Sequence, residues 1–157
     1  MNRRALYQHL EQLQRTPGER VVAFVDLDAF KAVNDTAGHF AGDRVLVEVA
    51  RCLQAHLDGA IIGRWGGDEF LVVLDRPPES AVALLEGARQ CVEGLQTVGG
   101  NVTLSIGATR LRSQADHLGA TLGRADTLLY EAKRQGRNRV VQDVEMVSGS
   151  PVGEPRS

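Results

Sequence analysis

Four carboxylates stand in two short groups that could do chemistry together. Asp26 and Asp28 close the apolar run Val21-Val22-Ala23-Phe24-Val25, and Asp68 and Glu69 follow Gly66-Gly67 ahead of Phe70-Leu71-Val72-Val73-Leu74. If the first run lies beside the second, the four acids meet at one sheet edge. Like charges raise one another's pKa values, so such a cluster is costly by itself. A divalent cation relieves that cost, and hard carboxylate and carbonyl oxygens suit Mg²⁺. Two ions about 3.5–4 Å apart would clamp the attacking and leaving oxygens of an in-line phosphoryl displacement. The plainer reading of Asp28 is a helix N-cap, because Asp is a favoured cap. The plainer reading of the second group is a wet, acidic turn.

The elements that must position these acids are legible from periodicity. Val21–Val25 is continuous and valine-rich, as in a central strand buried on both faces. Ile61–Trp65 and Phe70–Leu74 flank Gly66-Gly67, which reads as a hairpin whose glycines supply the positive φ of a tight reversal. Leu6, Leu10 and Leu13 recur at helical spacing over roughly the first 15 residues. A short helix is expected from about Ala29 to Gly38, and a longer one from Gly42 with Val45, Leu46, Val49, Leu53 and Leu57 on one face. A third helix starts at Glu79 or Ser80, after Pro77-Pro78, and Gly99-Gly100 ends that unit. Val102, Leu104, Ile106 and Ala108 alternate as a strand with one covered face. A helix from Leu118 to about Gln135, a stop at Gly136 and a short strand Arg139-Val140-Val141 complete the pattern. From about Asp143 the chain reads as a loose Ser/Gly/Pro-rich tail. The order predicts an α/β (α+β) sandwich, with one mixed five-stranded sheet flanked by helices, as a single domain over residues 1–142.

Composition narrows the class. The chain has 157 residues, 43% hydrophobic and 24% charged, so a real core is available. A formal net charge of -2 and 4% aromatics give neither a basic field nor a stacking surface for nucleic acid. No run approaches a membrane span and the start is not a signal peptide, so a cytoplasmic domain with no direct membrane contact is expected. Cys52 and Cys91 are isolated in sequence and read as buried free thiols in a reducing compartment. His39 reads as structural, and Arg64 as a salt-bridge partner of the nearby acids.

Several of these stretches resemble one family. Asp26-Leu27-Asp28-Ala29-Phe30-Lys31-Ala32-Val33-Asn34-Asp35 resembles the DxDxFKxxND motif of GGDEF-domain diguanylate cyclases. Gly38-His39-Phe40-Ala41-Gly42-Asp43 resembles their GHxxGD, and Arg64-Trp65-Gly66-Gly67-Asp68-Glu69-Phe70 their RYGGDEF, with Trp for Tyr. Ser105-Ile106-Gly107, Ala125-Asp126, Leu129-Tyr130-Glu131-Ala132-Lys133 and Gly136-Arg137-Asn138 match further family stretches in family order.

The resemblance implies a fold related to the adenylyl-cyclase catalytic domain and the polymerase palm. It also implies conversion of two GTP into cyclic di-GMP and two pyrophosphates in bacteria, with two Mg²⁺ or Mn²⁺ ions per site. By position, Asp26, the Leu27 carbonyl and Asp68 would hold metal, and Glu69 would sit at the catalytic centre, assisting removal of the 3′-hydroxyl proton or aiding the metal. Asn34 and Asp43 would read guanine, whose N1–H and N2–H donors suit a carboxylate, and Leu46 would pack on the base or serve the core. Lys133 and Arg137, four apart around a helix end, would grip the γ-phosphate; the alternative is a solvated helix terminus that favours cations. The amides of Phe30 and Lys31 would meet the β- and γ-phosphates, and Gly66 and Gly67 would admit ribose and α-phosphate to the turn.

Two departures stand out. Where many members carry a product-binding RxxD starting nine residues before the first GGDEF glycine, this chain has Leu57-Asp58-Gly59-Ala60, so no product inhibition through that site is expected. Of the DxLTGLxNRR stretch that usually opens the domain, only Asn2-Arg3-Arg4 is present, which reads as a truncated edge with a weakened base contact. One domain offers one GTP site, so catalysis implies a transient antiparallel homodimer, ordinarily promoted by a sensor or regulatory domain. The rival expectation is a catalytically weak GTP-binding regulatory module of a larger cyclic di-GMP protein. A product-binding receptor is disfavoured by Leu57 and Ala60, and an ATP cyclase by Asp43.

Overall fold

The computed structural model describes residues 2–97, 100–112 and 117–143. Gly99 and the tail beyond Asp143 lie outside the described residues. In chain order the elements are α1 (Arg3–Gln14), β1 (Val21–Asp28), α2 (Phe30–Ala37), α3 (His39–His56), β2 (Ile61–Arg64), β3 (Glu69–Leu74), α4 (Pro78–Glu93), β4 (Thr103–Arg110), α5 (Leu118–Arg134) and β5 (Arg139–Gln142). The sheet runs β2-β3-β1-β4-β5. It is mixed, as expected: β4 and β5 are parallel, and every other neighbouring pair is antiparallel.

β1 lies at the centre because all of its apolar residues can be buried there. The period of two divides its side chains between the two faces. Val21, Ala23, Val25 and Leu27 join α3 and α4 in one core, with Val33 of α2 at its edge. Val22 and Phe24 join Leu6 and Leu10 of α1 and Leu118, Ala125 and Leu129 of α5 in the other. The same alternation carries Asp26 and Asp28 onto the α5 face, where the apolar lining stops. Phe24 meets Trp65 edge-on, with centroids 5.5 Å apart, and the Arg3 guanidinium lies 4.3 Å above the Trp65 ring.

Four expectations are corrected. β1 extends to Asp28, so Asp28 is a strand residue; Ala29 (φ 67°) precedes α2, and no side chain caps that helix. Gly66 and Gly67 do not adopt positive φ. A four-residue loop turns the chain instead, closed by the amides of Trp65 and Gly66 on the Glu69 carbonyl at 2.8 and 3.2 Å. β4 is covered on both faces, because α5 lies directly on Gly107: a Cβ there would stand 2.2 Å from the Leu129 nitrogen. Cys52 of α3 and Cys91 of α4 are joined in a disulfide, with Cα atoms 5.9 Å apart; the two helices pack side by side, a proximity that sequence spacing does not carry. Asn2 caps α1, its Oδ1 accepting the Ala5 amide at 2.9 Å. No helix among the described residues is long and apolar enough to cross a membrane.

Candidate active site

The register brings the two acidic groups together. Asp26 stands opposite Glu69 across the β1–β3 ladder, and the Leu27 amide donates to the Asp68 carbonyl at 3.1 Å, which ties the loop to the strand end. α5 completes the group. The glycine at 107 lets its backbone settle on β4, and its last turn brings Lys133 onto Asp26, with which it forms an ion pair.

The electrostatics follow from unequal burial. Burial pushes the Asp26 carboxyl above its usual range, and nearby Asp68 adds to the rise, although the Lys133 hydrogen bond opposes it. Lys133 is itself held above the ordinary lysine value: burial lowers it, but the bond and charge of Asp26, with Glu69 and Asp68, outweigh that. Both values move up, which disfavours the charged form of the acid but favours that of the amine. The Asp26 side chain is only 14% exposed and that of Lys133 35%, so desolvation falls mainly on the acid. Burial also raises Glu69, with Asp26 and Asp126 adding to it and Lys133 opposing.

One atom of this group lacks a partner: Asp26 Oδ1 is buried without a hydrogen bond. A buried carboxylate oxygen left unpaired beside further acids suits a hard cation. Among the described residues no three His, Cys, Asp or Glu side chains converge into a ready metal cluster. The expected ligand set is two carboxylates and a carbonyl, from Asp26, Asp68 and Leu27, and the Leu27 amide holds the Asp68 backbone beside Asp26.

Asp28 belongs to a different system. It is buried, and its oxygens accept from Ser105 Oγ at 2.8 and 3.0 Å, from Thr103 Oγ1 at 2.6 Å and from the Asn138 amide at 3.1 Å. Arg137 Nε lies 3.9 Å from Asp28 Oδ1. Asp28 therefore pins the α5–β5 turn to the sheet. The sequence offered a signal in the alternating hydroxyls of Thr103 and Ser105, but not their partner.

The remaining candidates distribute around the same strand end. Phe30 and Lys31 open α2 with no side-chain cap, and the Lys31 ammonium pairs with Asp35 at 2.9 Å. Asn34 leans onto the first turn of α3: a Cβ on Gly42 would come within 1.9 Å of its Oδ1, so the glycine is what admits it beside exposed Asp43. Leu46 is half-buried against the core. Gly66 and Gly67 are exposed at the loop, with open space around Gly67. Arg64 donates to the Gly67 carbonyl, Nε at 3.2 Å and Nη2 also, so it braces the loop, and among the described residues it does not pair with an acid as expected. A cavity of about 960 Å³ opens beside the loop between α1 and α5, lined by Arg3, Tyr7, Trp65, Glu69 and Asp126 among others. Only packing creates that space, and the sequence did not signal it.

These features define an α+β domain with a partly buried group of acids at the end of its central strand, an uncapped helix beside it and two basic residues on the opposite helix end. The family model for the diguanylate cyclase GGDEF domain matches residues 1–139. The chain is 36% identical over 139 residues to the probable diguanylate cyclase DgcC of Escherichia coli strain K12, covering 85% of this chain and 38% of that protein. It is 40% identical over 125 residues to diguanylate cyclase A of Treponema denticola, covering 76% and 34%. Among solved structures, the active GGEEF domain of a Vibrio cholerae diguanylate cyclase superposes with TM-score 0.82 at 32% identity, over 90% of this chain and 96% of that one. Pseudomonas aeruginosa SiaD, solved with its activator SiaC, gives 0.81 at 41% identity, over 90% and 58%. The chain belongs to the GGDEF family of diguanylate cyclase domains. It spans little more than a third of the length of those two curated relatives.

Proposed function

We propose that this domain is one half of a diguanylate cyclase. Each copy binds one GTP, and two copies meet antiparallel with their loops facing. The 3′-oxygen of each GTP forms a bond to the α-phosphorus of the other, the bond to the bridging oxygen breaks, and pyrophosphate leaves with the electron pair. Two such steps give cyclic di-GMP and two pyrophosphates. Asp26, Asp68 and the Leu27 carbonyl would hold Mg²⁺ or Mn²⁺. When bound, those cations supply charge to the phosphates and acidify the attacking hydroxyl. Glu69, whose carboxyl burial raises, takes the hydroxyl proton. Asn34 and Asp43 select guanine, and Leu46 covers it. The amides of Phe30 and Lys31, with Lys133 and Arg137, receive the β- and γ-phosphates, and Gly66 and Gly67 let ribose and α-phosphate approach the loop. Nucleotide binding would draw Lys133 from Asp26 toward phosphate, freeing the acid for cation.

The observation that carries this reading is the buried, unpaired Asp26 Oδ1 opposite Glu69. A second reading, a GTP-binding regulatory module of a larger protein, is favoured by the Lys133–Asp26 pair, since lysine already neutralises the acid there. One experiment separates them. The chain at high concentration is incubated with GTP and Mg²⁺, and cyclic di-GMP is measured beside an Asp68→Ala, Glu69→Ala control. The cyclase reading expects product only from the unaltered chain. GTP binding without product above the control would overturn it in favour of the module.

A further inference from the structure

Behind the phosphate end, side chains from two elements form a closed ring. Arg89 Nη1 donates to Asn138 Oδ1 at 2.8 Å and to Glu93 Oε1 at 3.2 Å, and Asn138 Nδ2 donates to Glu93 Oε2 at 2.7 Å. Arg89 is only 13% exposed and is anchored from the other side by Glu86, Nε to Oε1 at 3.0 Å. Asn138 is thus held twice: α4 takes its side chain, and Asp28 of β1 takes its amide.

The turn that is held in this way needs holding. Gly136, Arg137 and Asn138 have φ of 121°, 68° and 51°, three successive positive values. The last two carry Cβ atoms and sit in a region that is costly for them. Such a conformation persists where its surroundings over-determine it, and it clusters where geometry serves function. Here it carries Arg137, whose side chain is 58% exposed and is bound only loosely to Asp28.

We infer that Arg89 and Glu93 are positioning residues: through Asn138 they fix the left-handed turn that presents Arg137 to the terminal phosphate of a nucleoside triphosphate. This rests on the proposed reading of Arg137 as a phosphate contact. Neither Arg89 nor Glu93 lies in any stretch that suggested the function. A guanidinium contact aimed by a rigid turn loses less freedom on binding than one on a mobile turn, so loosening the ring weakens binding in proportion to what Arg137 contributes.

The test is calorimetric titration of the unaltered chain, Arg137→Ala, Arg89→Met and Asn138→Gly with GTP, supplied as its α,β-methylene analogue so that no pyrophosphate can leave, and separately with GDP, both in Mg²⁺. Glycine accepts the positive φ at 138, so that variant removes the ring without straining the fold. The unaltered chain is expected to prefer GTP. Arg137→Ala should remove most of that preference. Arg89→Met and Asn138→Gly should each cut the GTP-to-GDP affinity ratio by about tenfold while leaving GDP affinity within about twofold. Amide hydrogen exchange at Arg137 and Asn138 reads the ring without nucleotide and should quicken in Arg89→Met. Unchanged exchange would overturn the clamp, whatever the titrations give. If Arg137→Ala retains the GTP preference, the phosphate reading fails and the inference falls with it. If Arg137→Ala loses the preference while both ring variants keep it, the phosphate reading survives and the positioning role is overturned.

Discussion

Gly107→Ala tests how the site is assembled, because one methyl group should disturb both packing and the acid pair. A Cβ at 107 would lie 2.2 Å from the Leu129 nitrogen, 2.5 Å from the Ala125 oxygen and 2.7 Å from the Leu128 carbonyl carbon. All three are backbone atoms of α5, so no rotamer change relieves them. The helix must retreat by about 1 Å to restore ordinary contact, and gaps of that size forfeit a quarter to a half of each dispersion contact. α5 rests on the sheet through Leu118, Thr121, Ala125, Leu129 and Ala132, all buried. Overpacking of a tight core costs about 1–3 kcal/mol, and the rigidity of the obstructing atoms places this case near 3. For a domain of this size the melting temperature should fall by roughly 10 °C. Gly123→Ala on the same helix is the internal control, since nothing lies within 4 Å of its added Cβ. There alanine should stabilise by about 0.5–1 kcal/mol through helix propensity. Urea unfolding of both variants reads the two signs. A Gly107→Ala loss under about 0.5 kcal/mol would refute the claim that α5 packs by backbone contact on β4.

Further outcomes follow from the site and its surroundings. Asp26 and Glu69 have folded-state pKa values above their ordinary ones, so their contribution to stability is fully present below those ordinary values and is lost as pH rises through the raised ones. Asp26→Asn should therefore flatten the fall in stability as pH rises above the ordinary carboxylate range, and an unchanged slope in melting temperature against pH would exclude this. Mg²⁺ at about 100 times its dissociation constant should stabilise the unaltered chain by about 2.7 kcal/mol and Asp26→Asn far less, as thermal shift would show. Reducing the Cys52–Cys91 bridge, which closes a separation of 39 residues, should lower the unfolding free energy by about 3–4 kcal/mol. An unaltered urea midpoint in dithiothreitol would contradict that. Cyclic di-GMP added to a working reaction should not inhibit through the 57–60 segment, where Leu57 is buried and Ala60 packs on the core, and inhibition that a Leu57 substitution relieves would overturn this.

The sequence alone determined the elements and their order. Runs such as Val21–Val25 and the helical spacing of Val45, Val49 and Leu53 are local patterns, and local periodicity decides which side of an element is buried. It also placed the candidate chemistry, because the motifs around Asp26, Asn34, Asp68 and Lys133 are short contiguous strings. What it left undecided were relations between distant segments. The role of Asp28 turned on Thr103, Ser105 and Asn138, which lie 75, 77 and 110 positions away. The pairing of Cys52 with Cys91 depended on two helices sharing one face of the sheet. The loop glycines were misread because a Gly-Gly pair is compatible with several turn geometries, and the closing hydrogen bonds to Glu69 selected one without positive φ. The Lys133–Asp26 pair, the unpaired Asp26 oxygen and the Arg89–Glu93–Asn138 ring exist only because α5 settles onto Gly107 and α4 onto the turn at 136–138. Register, helix docking depth and burial are properties of the packed whole, and they decide which charges are paired and which oxygen is left without a partner.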